Sequence, residues 1–226
     1  MFYFTSKFLT KNSANKLYSM IEDDEWHDGV ESLNFGSKKP EYDMNLIKNN
    51  LECGIKDPSI IHFVLDSNKE FLKNTYALLS TDPIISKTPT GGYYHSHFDE
   101  PGCGHFSTTI FLSDPDTYDG GELVLLIDGE EKMFKLQAGE GITYETGTPH
   151  RVNKVTRGDR YAAVFWTTSF IQDLDDLDEW RYYDMMADRY KDNSYYEDLI
   201  SFNNSLYAHF KQKCDKISRK YVNASP

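Results

Sequence analysis

The chain has 226 residues and a formal charge of −12 at pH 7, long enough to bury a sizeable core in one domain with extensions. The acidic balance argues against sequence-independent binding to nucleic acid, which needs a basic footprint. No apolar stretch reaches the ~18 residues of a membrane span.

Met1–Leu9 is aromatic and lacks the apolar run of a signal peptide. Cys53, Cys103 and Cys214 stand far apart without a CxxC, the pattern of reduced thiols in a reducing, cytoplasmic compartment. Residues 11–24 read as a helix capped by Asn12 or Ser13, with Leu17, Met20 and Ile21 at helical spacing. Residues 66–80 read as a second helix, capped by Asp66 or Ser67, with Phe71, Leu72, Tyr76, Leu78 and Leu79 as its apolar residues. The acidic runs Glu22–Glu25 and Asp173–Glu179 read as solvated faces.

From about 83 to 171 the texture changes to short strands between turns. Ser107–Leu112 is β-rich, and a turn over Asp114–Gly121 follows. Glu122–Ile127 and Lys132–Leu136 flank Asp128-Gly129, a two-residue hairpin signal. Gly141–Tyr144 and Arg160–Thr167 add two more strands. Short strands at this spacing predict a sandwich or barrel. The tail, 173–221, turns helical again, with Leu199, Phe202, Leu206, Phe210 and Cys214 close to one face. The expected fold is mainly β with flanking helices around a double-stranded β-helix (jelly-roll) core at 83–172. An N-terminal helical/β buttress (1–82) and a C-terminal helical extension (173–226) would pack on it as one unit.

The chemistry concentrates in two segments. In Tyr93-Tyr94-His95-Ser96-His97-Phe98-Asp99, a His and an Asp two apart on a strand point to the same side and can grip one metal. His150, about fifty residues on, is the best third ligand. Two His and one carboxylate on one face of an octahedron are the signature of non-haem Fe(II) oxygenases. His95 competes with His97, since His95-x-His97 is also a same-face pair, but His97 alone gives the HxD spacing. His105 and Cys103 lie nearby without a reason to assign them a role. Arg160 opens a strand whose face continues through Ala162, Val164 and Trp166. A guanidinium among such neighbours needs a partner, and its fork matches a carboxylate. That partner is either a ligand or an internal Asp or Glu.

The segment Thr109–Leu123, with Asp119-Gly120-Gly121-Glu122-Leu123 at its end, resembles the central block of the PKHD-type hydroxylases. These belong to the prolyl 4-hydroxylase-like branch of the Fe(II)- and 2-oxoglutarate-dependent dioxygenases. His150–Arg160 followed by Ala163-Val164-Phe165-Trp166 is similar to that family's distal block. Lys48-Asn49-Asn50-Leu51 resembles a block the family carries before its core. The resemblance runs from about 45 to 173. It implies iron on His97, Asp99 and His150, 2-oxoglutarate on Arg160 and near Tyr94, and ascorbate as an accessory cofactor. It also implies a hydroxylase whose substrate is a protein, a peptide or an amino acid. Two departures bear on the substrate pocket. Thr88 stands where the family usually has a Tyr, and Glu100-Pro101 follows the Asp where a small residue or Asn is common.

Two rival readings remain at this point. A cupin would use His95-x-His97 and His150 without 2-oxoglutarate, but Glu100 comes too early for its carboxylate and Arg160 would be idle. An inactive β-sandwich binding module would retain the site for stability. Two further expectations concern position: the loop 98–106 and the segment 45–52 should border the pocket mouth.

Overall fold

Leu123–Ile127 is apolar throughout, and all of it but Leu126 is buried, as suits a strand packed in a two-sheet sandwich. The structure is a computed structural model and describes residues 1–19, 21, 26–33, 46–191 and 200–222. Its strands in chain order are β1 (Tyr3–Lys7), β2 (His27–Asp28), β3 (Lys48–Asn49), β4 (Leu51–Cys53), β5 (Ala77–Ser80), β6 (Ile84–Thr88), β7 (Tyr93–His97) and β8 (Phe106–Phe111). There follow β9 (Asp119–Gly120), β10 (Leu123–Ile127), β11 (Glu130–Phe134), β12 (Glu140–Glu145), β13 (His150–Val152), β14 (Val155–Arg157) and β15 (Arg160–Ser169). The helices are α1 (Lys11–Ser19), α2 (Ser59–Ser67), α3 (Lys69–Thr75), α4 (Leu174–Lys191) and α5 (Ile200–Val222).

One sheet runs β1-β12-β8-β15-β6-β4-β2, with β5 pairing the end of β15, and the other runs β11-β10-β13-β7-β3. All the pairings are antiparallel. This is the mainly β, jelly-roll architecture expected. Phe111, Leu123, Leu125, Ile127, Ile142 and Tyr144 fill the space between the sheets. The outer side of the larger sheet packs on α1, α2 and α3 through Leu17, Ile61, Leu65, Phe71 and Phe165. Asp128 and Gly129 both take positive φ, 51° and 83°, the turn that a two-residue hairpin requires.

The helix expected over 66–80 is corrected. The chain makes two helices, α2 and α3, and then strand β5. Asn68 caps α3 by accepting from the Phe71 amide, and Tyr76 ends it in the left-handed region at φ 47°. Leu78 and Leu79, 59% and 68% exposed, are therefore strand residues and not a helical core face. Helix α1 stops at Ser19, and Thr10 caps it, its Oγ1 accepting from the Ser13 amide at 3.1 Å. Met20 and Glu22–Glu25 lie outside the described residues.

Helices α4 and α5 bring Leu177, Trp180, Cys214 and Ile217 together with Phe106 of the larger sheet. Half-buried Phe210 stacks on Tyr190 with centroids 5.9 Å apart. Leu199 and the side chain of Phe202 lie outside the described residues. In the run 173–179, Asp176 bonds Lys220 and Tyr221 while Leu177 is buried. No helix among the described residues is long and apolar enough to cross a membrane.

Candidate active site

Strand β7 carries His97 at its end, and Asp99 follows just beyond it. Strand β13 opens at His150 and pairs with β7 so that His150 and His97 are direct cross-strand partners. The ligand atoms of His97, Asp99 and His150 lie within 4.8 Å of one another. Both Nε2 atoms stand 3.9 Å from Asp99 Oδ1, a triangle that can hold one metal ion.

Each ligand atom is presented by a hydrogen bond on its other side. The Nδ1 of His97 donates to its neighbour His95's carbonyl at 2.8 Å, and that of His150 to the Thr148 carbonyl at 2.9 Å. This tautomer leaves each Nε2 lone pair facing the triangle. Asp99 Oδ2 accepts from Ser107 Oγ at 2.6 Å and from the Trp166 indole at 2.9 Å, so Oδ1 turns inward. Burial, with His150 beside it, lowers the His97 pKa to about 4, so the ring is neutral near pH 7 and its Nε2 could serve a metal.

Arg160 opens β15 in the larger sheet. It is 1% exposed, and its Nε and Nη2 have no hydrogen-bond partner among the described residues. Its guanidinium carbon sits 5.2 Å from the Phe111 ring centroid, and it makes no ion pair among the described residues. Burial lowers its pKa, and the groups that oppose this are the phenols of Tyr118 and Tyr144. The internal Asp or Glu partner, the bland alternative for this arginine, is therefore not present among the described residues. Arg151 and Arg157 are spoken for, paired with Glu131 and Asp119.

The route between the two centres differs from the expectation. In the sequence, the short connection Lys154–Asp159 between His150 and Arg160 reads as a turn that sets the two on adjacent antiparallel strands facing one cavity. They lie instead on different sheets, β13 in the smaller and β15 in the larger, with β14 between them in the chain. Both side chains adjoin the same core cluster, Arg160 at Phe111 and His150 at Tyr144. Tyr144 on β12 lies between them electrostatically. Burial and Asp99 push its phenol up while Arg160 opposes, and its ring is 5.2 Å from that of His150.

Other residues also find their places. The Tyr94 ring lies flat on His97, with centroids 3.6 Å apart and planes at 18°. His95 is exposed and rests against Tyr93. His105 holds the loop to β15, its Nδ1 accepting from the Ser169 amide. Thr88 is buried and is the cross-strand partner of Arg160. Glu100 precedes the short 3-10 turn Pro101–Cys103 without a side-chain cap bond, and the loop 98–106 contains Asp99 itself. Of the segment 45–52, Lys48 and Asn49 pair with β7, the strand that carries His97, while Leu51 and Glu52 pair with β6 in the larger sheet; residue 45 lies outside the described residues.

Sequence reasoning missed Tyr144, Tyr118, Ser107 and Trp166 in these roles. Trp166 was legible only as a same-face neighbour of Arg160. No local signal marks the others.

The family model of the 2OG-Fe(II) oxygenase superfamily matches residues 84–168. A PKHD-type hydroxylase of Gluconobacter oxydans is 32% identical over 163 residues, 68% of this chain and 71% of that protein. A PKHD-type hydroxylase of Colwellia psychrerythraea is 35% identical over 153 residues, 62% and 69% of the two chains. Among solved structures, a Trichoplax adhaerens prolyl hydroxylase in complex with a hypoxia inducible factor peptide shares the fold. Its TM-score is 0.58 at 16% identity, over 74% of this chain and 83% of that one. Neither the cupin reading nor the inactive-module reading is favoured beside these relatives. The chain belongs to the PKHD-type hydroxylases of the 2OG-Fe(II) oxygenase superfamily.

Proposed function

We propose that this Fe(II)- and 2-oxoglutarate-dependent dioxygenase uses His97, Asp99 and His150 as its iron ligands and Arg160 as the anchor of 2-oxoglutarate. We further propose that it hydroxylates a peptidyl or amino-acid side chain. The observation that carries the reading is a metal-sized His-Asp-His triangle together with a buried guanidinium that has no counter-ion among the described residues, with Tyr144 neighbouring both His150 and Arg160. Two imidazoles and a carboxylate suit Fe(II) and leave positions open. A fully buried cation suits the far carboxylate of a bidentate chelator.

Bound iron and 2-oxoglutarate supply, with O2, an oxidative decarboxylation to succinate and CO2 coupled to hydroxylation of a substrate C–H bond. The chain supplies position. Ser107 and Trp166 hold Asp99 so that one oxygen faces the metal. The Thr148 and His95 carbonyls hold the two imidazole tautomers. Arg160 receives the distal carboxylate and so orients the cosubstrate, with Tyr94 and Tyr144 walling the space.

The substrate class rests on kinship. The curated relatives carry the hydroxylase name, and the Trichoplax relative, similar in fold, was solved with a peptide. Ascorbate would serve as the reductant that keeps iron ferrous. The three cysteines, with no disulfide among the described residues, fit a reducing cytoplasm, and residues 83–172 would form the catalytic core.

The test is a screen of proline-containing peptides and free amino acids for stimulated succinate release, with iron and O2 present. Succinate must rise with one of them in the wild type and not in His97→Ala. Succinate formation equal in both proteins would sink the reading.

A further inference from the structure

Lys48 is 4% exposed, a poor place for an ammonium group unless something holds it. Its Nζ lies 2.6 Å from Glu52 Oε1 and donates to Ser32 Oγ at 2.8 Å. Asn50 steadies the same Glu52 oxygen at 3.1 Å and reaches Ser86 at 2.8 Å. The ammonium is thereby fixed 4.7 Å from the centroid of Tyr94, its cross-strand partner between β3 and β7. A desolvated cation over a phenol ring is where such a contact is strongest.

That same ring lies flat on His97. His97 needs the support. It is the last residue of β7, where ladder pairing stops, and the next residue, Phe98, is 66% exposed. The single hydrogen bond from Nδ1 to the His95 carbonyl fixes one ring atom. A contact across the whole face fixes the ring plane. A buried Lys–Glu pair alone is weak evidence for stability, since apolar residues of similar volume serve as well. Fold stability therefore does not account for a lysine here.

We propose that Lys48 is a positioning residue for the metal centre, holding Tyr94 against His97 so that the His97 Nε2 stays aimed at the ion. This rests on His97 being an iron ligand, as argued above.

The experiment titrates the full chain with Co(II), read by its visible absorption, in the wild type and variants. Substituting supports of a metal ligand typically weakens metal affinity about 10- to 100-fold. Lys48→Met is expected to bind Co(II) about tenfold more weakly at that lower bound, and Lys48→Arg, which keeps a cation over the ring, to recover most of it. Tyr94→Leu, which removes the stacked ring, should weaken binding like Lys48→Met. Because Lys48 acts through Tyr94, Lys48→Met/Tyr94→Leu should be no weaker than Tyr94→Leu alone. If Lys48→Met fails to fold, Lys48→Met/Glu52→Gln removes the stranded carboxylate and carries the same comparison. Unchanged Co(II) affinity in Lys48→Met, or losses that multiply in the double variant, would overturn the inference alone. A wild type that binds no Co(II) would overturn the iron-ligand reading and this inference with it.

Discussion

Arg160→Met separates binding from stability. In the wild type Arg160 is 1% exposed, its Nε and Nη2 have no hydrogen-bond partner among the described residues, and the Tyr118 and Tyr144 phenols and the Phe111 ring lie near it. Without 2-oxoglutarate, this buried charge costs free energy that no carboxylate of the described chain offsets. Replacing buried ionic groups by apolar residues of similar volume is neutral or stabilising by about 1–4 kcal/mol. The variant free of cosubstrate should therefore melt at or above the wild type. For a chain this long, each kcal/mol moves the midpoint by about 2–4 °C. The wild type should gain about 2.7 kcal/mol from 2-oxoglutarate at a hundred times its Kd, a rise of about 5–10 °C. The variant should gain nothing. The assay is a thermal melt with Mn(II) in place of iron, with and without 2-oxoglutarate. Two results would refute the reasoning. A variant melting far below the wild type without ligand would mean the charge has a partner. A variant that keeps the ligand-induced rise would mean another group anchors the carboxylate. Arg151→Ala and Arg157→Ala should leave the rise intact, because Glu131 and Asp119 already hold those side chains.

Trp166→Phe removes the indole donor to Asp99 Oδ2 while keeping an aromatic ring. Metal affinity should fall about tenfold, as read by Mn(II) titration, and an unchanged affinity would show that Ser107 alone orients the carboxylate. Gly121 has φ +67°, and a Cβ there would stand 3.2 Å from Arg160 Cδ and 3.0 Å from Tyr118 and Val155. Gly121→Ala should cost about 1–2 kcal/mol from the left-handed backbone alone and should also weaken 2-oxoglutarate binding by displacing the Arg160 stem; equilibrium denaturation and ligand titration measure the two separately. The His97 pKa of about 4 in the fold, against 6.5 when unperturbed, gives metal-free stability a pH dependence. Between those values the unfolded chain binds more protons, so stability should be fully present above pH 6.5 and fall as the pH drops toward 4. His97→Gln should flatten that limb of a urea-denaturation pH series, and a limb unaltered by the substitution would count against the buried neutral ring.

How much could be read in advance follows from the range over which each feature is encoded. His97 and Asp99 were legible because a two-residue period is local, and the Asp128-Gly129 turn because its backbone needs residues that tolerate positive φ. Arg160 stood out as a charge on an otherwise apolar strand face, and His150 through its spacing and the family resemblance. The helix placed over 66–80 failed because Asn68 offered a cap and Tyr76 a left-handed stop, while the far end of β15 offered a partner for Ala77–Ser80. Apolar content alone does not distinguish a helix from such a strand. Only the tertiary structure decided that His150 and Arg160 would lie on two sheets rather than on neighbouring strands of one. It likewise decided that Ser107 and Trp166, 8 and 67 residues from Asp99, would aim that carboxylate. Periodicity within a segment is set by neighbours a few residues away. The sheet a strand joins, and the side chain a ligand leans on, are set by packing between segments distant in sequence.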